Sequence, residues 1–268
     1  MELATHALNT PRDAYYWRLL ATAASFCLFG IGGLCLRVLV FPLLACLPGD
    51  AQVHRRRARA VVSRLFWLFI RFMCRTGVLT YSVSGAERLG RPGQMIIANH
   101  PSLIDVVFLI GLVRDANCVV KQSLWQNPFT RGPVRSTGYI SNDGSMDMLD
   151  TAVEALQGGQ TLIIFPEGTR TQPGQAPAFH RGAAAIALRG ARIITPVAIT
   201  VSPTTLTKAE PWYRIPARRV HFSLRVGADI EPHTFAAAGP APQASRRLND
   251  FLHQHFIKEL ATDEPARP

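Results

Sequence analysis

The stretch Met95-Ile96-Ile97-Ala98-Asn99-His100-Pro101-Ser102-Leu103-Ile104-Asp105 decides what kind of fold this chain adopts. Its first four residues form an unbroken apolar run, too short for a buried helix and ending in polar residues, which is the pattern of a buried strand. Pro101 then predicts a helix running to about Leu112, because proline is tolerated in the first helical turn and Gly111 lies near the end. The run TLIIFPEGTR, residues 161–170, repeats the layout of a buried strand that gives way to a polar loop at Pro166. Working outward, strands are expected at 117–120, 138–140, 193–201 and 220–226. Helices are expected at 146–156, 181–188 and 245–260, the first two stopped by Gly158-Gly159 and Gly190. This alternation, established from about Tyr81, predicts an α/β fold: a mixed, mostly parallel sheet flanked by helices.

A different kind of segment precedes it. Residues 19–36, LLATAASFCLFGIGGLCL, carry no charge, and after Arg37 the apolar run resumes as VLVFPLLACL. A helix of about 18 residues spans about 27 Å, close to the hydrocarbon thickness of a bilayer. Tyr15, Tyr16 and Trp17 stand at its front edge, where amphipathic aromatics sit at headgroup level. Past the far edge, His54-Arg55-Arg56-Arg57 and Arg59 form a basic cluster suited to anionic lipid heads. Arg64 and Arg71 in VVSRLFWLFIRFM share one helical face, which predicts an N-terminal membrane-associated helical segment whose second helix lies in the interface. The apolar run is too long and starts too late for a cleaved signal peptide, and Cys46 lies too far along for a lipoprotein site. A full span, a re-entrant hairpin and a hairpin buried in the core all remain compatible with the sequence. The expected organisation is an anchor over 1–78, one domain over 79–262 on the cytoplasmic side of the basic flank, and a frayed tail over 263–268 within ATDEPARP.

Composition narrows the function classes. At 48% hydrophobic and 18% charged residues, the 268-residue chain is not disordered. Its net charge of +11 fits nucleic acid, anionic membrane or anionic substrates, and the position of the basic cluster beside the apolar segment favours membrane over nucleic acid. The five cysteines show no disulfide or metal spacing, and the histidines show no ligand spacing, so no metal is expected.

Two polar loops follow buried strands, where ligands bind in sheets of this class. If His100 sits just before its helix, its ring can fold over the first turn, and Asp105 can accept the Nδ1 hydrogen bond and leave Nε2 as a base. No serine or cysteine in a nucleophile elbow accompanies the pair, so the nucleophile is expected to be a substrate hydroxyl or amine. In FPEGTR, Arg170 offers a planar fork for phosphate, Thr169 a hydroxyl, and Glu167 a carboxylate to hold an acceptor hydroxyl or orient the arginine. Taken separately, each motif also fits a plainer role, as a capped helix start or an ordinary strand-end turn.

Together, NHPSLID and FPEGTR, in this order and about 65 residues apart, resemble the paired signatures of the glycerolipid acyltransferases, the lysophosphatidic acid acyltransferases and their relatives. The resemblance covers about residues 96–200 and extends to the membrane-attached amino terminus. It implies that His100 is a general base oriented by Asp105, and that Glu167, Gly168 and Arg170 bind an acceptor around its phosphate. Ile194-Thr195-Pro196-Val197 and Phe179-His180-Arg181-Gly182-Ala183 resemble further blocks of the family, which brings Arg181 into the expected site. One block departs: the family's Gly-x-Ile-x-Arg element reads Gly138-Tyr139-Ile140-Ser141-Asn142 here. Asn142 supplies no charge, so Lys121, Arg131 or Arg135 must compensate, or the acceptor is another lysolipid, an amino-lipid or a specialised metabolite. The implied activity moves an acyl chain from acyl-CoA or acyl carrier protein, as co-substrate and without a cofactor, to a lysolipid hydroxyl at the bilayer. A non-catalytic lipid binder has no use for a retained base, and a hydrolase using the same pair on water is distinguished by release of free fatty acid.

Overall fold

The computed structural model describes residues 14–236 and 240–262. The tail expected to fray, residues 263–268, lies outside them. The chain opens with α1 (Tyr15–Cys35), which widens into a π-helical turn at Leu36–Val40 and continues as α2 (Phe41–Ala45). The widening has a local cause: Pro42 has no N–H to donate, and its ring crowds the carbonyl one turn back. Asp50 then caps α3 (Ala51–Arg75) by accepting the Val53 N–H at 2.8 Å. The remaining elements are β1 (Leu79–Ser84), β2 (Gln94–Ala98), α4 (Asp105–Leu112), β3 (Ala116–Lys121), α5 (Arg131–Thr137), β4 (Ile140–Asn142), α6 (Met146–Gln157), β5 (Thr161–Ile164), α7 (Gly182–Gly190), β6 (Ile193–Ser202), β7 (Val220–Val226), α8 (His233–Ala236) and α9 (Ala241–Thr262).

The strands form one seven-stranded sheet in the order β1-β7-β6-β2-β5-β3-β4. All neighbours run parallel except β6 and β7. The exception follows from the connection: β6 and β7 are joined by a loop, whereas parallel neighbours need a crossover. Strand β2 is central, and its side chains alternate between two core layers. Ile96 and Ala98 face the layer containing α3 and α4, while Met95 and Ile97 face the layer containing α6, α7 and α9. All four are fully buried, and burying a side chain of isoleucine size contributes about 1.5–3 kcal/mol.

The N-terminal helices belong to the same core. Ala21, Leu36, Phe41, Ala58, Val62 and Ile70 cluster with Phe108 and Phe222 of the sheet domain. Helix α1 buries the stripe Arg18, Ala21, Thr22 and Ser25 and exposes Leu20, Leu28, Ile31 and, beyond its end, Val38. The buried Arg18 guanidinium donates to the carbonyls of Pro216, Ala217 and Arg218, at 3.0, 2.5 and 3.2 Å. At the other end Arg37 donates to the Pro128 carbonyl at 3.2 Å, and a Cβ at Gly33 would collide with the Phe129 carbonyl oxygen. Residues Tyr15–Ala45 are long and apolar enough to cross a membrane, with a mean hydropathy of 2.2 over the best window.

Several local expectations change. Pro101 does not open the helix: residues 101–104 form a turn, and α4 starts at Asp105, because the Asp105 carboxylate accepts the Ser102 N–H at 2.6 Å and holds the turn ahead of it. The strand expected at 138–140 starts at Ile140, since Gly138 adopts φ 69° to terminate α5, a helix with no clear periodicity in the sequence. The basic cluster is the first half of α3, and Arg59 is turned away from any lipid surface: it is 2% exposed, paired with Asp115 at 2.9 Å and with Gln160 at 2.6 Å. Ala261 and Thr262 extend α9 rather than fraying.

Candidate active site

Parallel strands place their carboxyl ends on one side of the sheet, and β2, β5, β3 and β4 are consecutive there. His100 follows β2, the FPEGTR loop follows β5, Lys121 ends β3 and Asn142 ends β4. Lys121 and Asn142 are direct register partners. These ends surround a cavity of about 620 Å³ lined by His100, Lys121, Asn142, Gly168, Thr169 and Arg170, with Leu103, Val106, Leu124 and Leu149 among its apolar walls. Its size and mixed lining suit a small polar head with apolar surroundings.

His100 is held from three sides. Its Nδ1 lies 3.0 Å from Asp105 Oδ2, its ring stacks on Phe165 with centroids 4.3 Å apart, and its main-chain N–H donates to Glu167 Oε1 at 2.9 Å. The side chain retains 17% exposure, at the cavity. Asp105 has none; burial pushes its pKa up, opposed by the hydrogen bond and charge of His100, the Ser102 N–H and the charge of Arg170. Asp105 acceptance of the Nδ1–H fixes the tautomer that leaves Nε2 unprotonated. Just ahead of the histidine, the buried Asn99 amide donates to the Ile199 carbonyl at 2.8 Å and accepts its N–H at 2.7 Å, stitching the end of β2 to β6.

The FPEGTR residues separate by position. Gly168 closes a turn onto the Phe165 carbonyl at 3.0 Å with φ 64°, a left-handed conformation that a side chain would strain. Its Cα faces Asn142 and His180. Arg170 lines the cavity, yet its Nη1 donates to the carbonyls of Leu206 and Thr207 at 2.7 and 3.0 Å. The same loop accepts Ser102 Oγ at the Thr205 carbonyl, 2.9 Å, and the Leu103 N–H at the Leu206 carbonyl, 3.2 Å. Residues 205–207 therefore brace both signature loops at once.

Glu167 is buried at 3% exposure and is not among the residues lining the cavity. Burial raises its pKa to about 7, helped by the charge of Asp105 and opposed by the His100 N–H. Arg181 is exposed and is not among the lining residues, and neither are Arg131 and Arg135. His180 does line the cavity, within a block quoted for its arginine and glycine. The bracing loop carried no sequence signal, because its contacts use main-chain carbonyls that any residue supplies.

A histidine paired with a buried carboxylate, opening on a cavity that Lys121 and Arg170 also line, is the arrangement the two acyltransferase signatures describe. The acyltransferase family profile matches residues 80–200. The 1-acyl-sn-glycerol-3-phosphate acyltransferase of Pseudomonas aeruginosa is 31% identical over 195 residues, 70% of this chain and 72% of that protein. The enzyme of the same description from Saccharomyces cerevisiae is 28% identical over 168 residues, 59% of this chain and 53% of that one. The chain belongs to this acyltransferase family, whose curated members named here are enzymes of phospholipid biosynthesis. Its fold is also that of the 1-acyl-sn-glycerophosphate acyltransferase PlsC of Thermotoga maritima, with a TM-score of 0.70 at 18% identity over 93% of this chain and 98% of that structure.

Proposed function

We propose that this protein transfers a fatty acyl group from acyl-CoA or acyl carrier protein to the free hydroxyl of 1-acyl-glycerol-3-phosphate, giving phosphatidic acid, with His100 as general base. The observation that carries the reading is the His100–Asp105 contact at 3.0 Å at the wall of the cavity. Nε2 takes the acceptor hydroxyl proton as the oxygen adds to the thioester carbonyl. The tetrahedral oxyanion then collapses, the C–S bond breaks, and the thiolate leaves with the proton carried by the imidazolium. The reaction so written uses no cofactor and no metal. Lys121 and Arg170 supply the positive charge for the acceptor phosphate, with Asn142 and the Thr169 hydroxyl as neutral donors.

The lipid acceptor is met at a membrane surface. Both ends of α1 touch the sheet domain, so the apolar face of Leu20, Leu28, Ile31 and Val38 reads as lying along one leaflet, with the domain on the cytoplasmic side where thioester donors are found. A second acceptor class, a lysolipid without a phosphate monoester, is favoured by one observation: Asn142, and not a cation, lies beside Gly168.

The test is labelled acyl transfer to 1-acyl-glycerol-3-phosphate with both thioesters, wild type beside His100→Ala. Phosphatidic acid formed by the wild type and lowered at least about 10²-fold in the folded variant supports the reading. Undiminished transfer by His100→Ala refutes the base, and transfer only to other lysolipids refutes the acceptor.

A further inference from the structure

Two carboxyl groups pack against His100, and they contact it differently. Asp105 meets the imidazole, while Glu167 meets the main chain of the same residue through Oε1. Each has one further oxygen, Asp105 Oδ1 and Glu167 Oε2, that is buried without a hydrogen-bond partner. Glu167 is absent from the cavity wall, so an acceptor held there does not meet its carboxyl.

We infer that Glu167 is a positioning residue, whose carboxyl pins the main chain beneath the histidine and does not grip the acceptor. The inference rests on the reading of His100 as the base. Two adjacent buried carboxylates do not both ionise readily, and the proton goes to the one with less compensation. Asp105 has the imidazole, the Ser102 N–H and the field of Arg170; Glu167 has a single main-chain N–H. A proton on Oε2 turns an unsatisfied acceptor into a donor, in a cluster whose other unpartnered oxygen, Asp105 Oδ1, is an acceptor. The groups that act on Glu167 are the His100 main chain and the charge of Asp105; Arg170 follows three residues along its loop, and His180 is tied to that loop through its N–H to the Pro166 carbonyl at 2.9 Å. Below about pH 7, where Glu167 keeps its proton, the net charge behind the imidazole is that of Asp105 alone.

The experiment compares full-length wild type, Glu167→Gln and Glu167→Ala, each checked for cooperative thermal unfolding. Glu167→Gln keeps the acceptor for the His100 N–H and carries no charge, so kcat stays within about fivefold. Glu167→Ala frees the main chain, and kcat falls about 10²-fold while acceptor KM changes by less than about threefold. The limb of kcat/KM that reports His100 protonation stays in place in Glu167→Gln. Were Glu167 ionised beside the imidazole, its neutralisation would lower that limb by about one pH unit or more. A lowered limb, a tenfold rise in acceptor KM in Glu167→Gln, or wild-type kcat in Glu167→Ala each overturns the inference. The His100 imidazole titration followed by NMR in detergent reads the same charge question without turnover. A failure of the acyl-transfer reading is thereby told apart from a failure of this one.

Discussion

The pH dependence of stability offers a direct probe of the buried Glu167. Its folded-state pKa of about 7 lies above the ordinary value of 4.5. Between these two values the folded protein keeps a proton that the unfolded chain has released. Stability from this group is therefore intact below the lower value and lost as the pH rises towards the upper one. At about 1.4 kcal/mol per pH unit, the loss between pH 5 and pH 8 comes to about 2.5 kcal/mol, with the shallow start near pH 5 allowed for. Glu167→Gln has no proton to lose. At pH 5 it should unfold within about 1 kcal/mol of wild type, because the amide oxygen still accepts the His100 N–H. At pH 8 it should be the more stable of the two. For a chain of this size the change in the difference between the two proteins corresponds to about 5–10 °C in Tm. Thermal unfolding of both in detergent, at half-unit pH intervals from 5 to 8, measures it, and groups common to the two proteins cancel. Parallel Tm–pH curves, or a variant that loses stability faster than wild type with rising pH, would refute the reasoning.

Other perturbations test other parts of the structure. Lys121→Ala should raise the KM for 1-acyl-glycerol-3-phosphate about tenfold with little effect on kcat, and Asn142→Arg, on the register partner of Lys121, should lower it about three- to tenfold. Steady-state kinetics at fixed thioester concentration checks both. Arg18→Ala strands three carbonyls that the guanidinium satisfies and should cost about 2–4 kcal/mol, seen as a lower unfolding temperature. Replacing Leu20, Ile31 and Val38 together by serine removes apolar surface of about 1.5 kcal/mol or more per side chain. Flotation with anionic vesicles should show that variant leaving the lipid fraction while its unfolding temperature stays near wild type.

Much of the fold was legible because buried parallel strands are nearly continuous apolar runs. The runs at 95–98 and 161–165 have strand length and end in polar loops, and the parallel pairing of their strands puts both loops on the same side of one sheet. His100 and Asp105 were legible as a pair for a related reason: five residues is a reach that a turn can close and a regular helix cannot. The helix start was misplaced all the same, because proline's preference for a first turn is weaker than a carboxylate that captures Ser102 and the imidazole together.

The sequence by itself determined the α/β class, the two signature loops, and the apolar helix long enough to cross a membrane, since each depends on local pattern and chain order. Only the tertiary structure decided that α1 lies along the domain, that Arg59 is buried against Asp115, and that Glu167 sits behind His100 while Lys121 and Asn142 stand together at the cavity. Those outcomes turn on strand order and on main-chain carbonyls meeting across long separations in sequence. Neither leaves a periodicity or a residue type to read in advance.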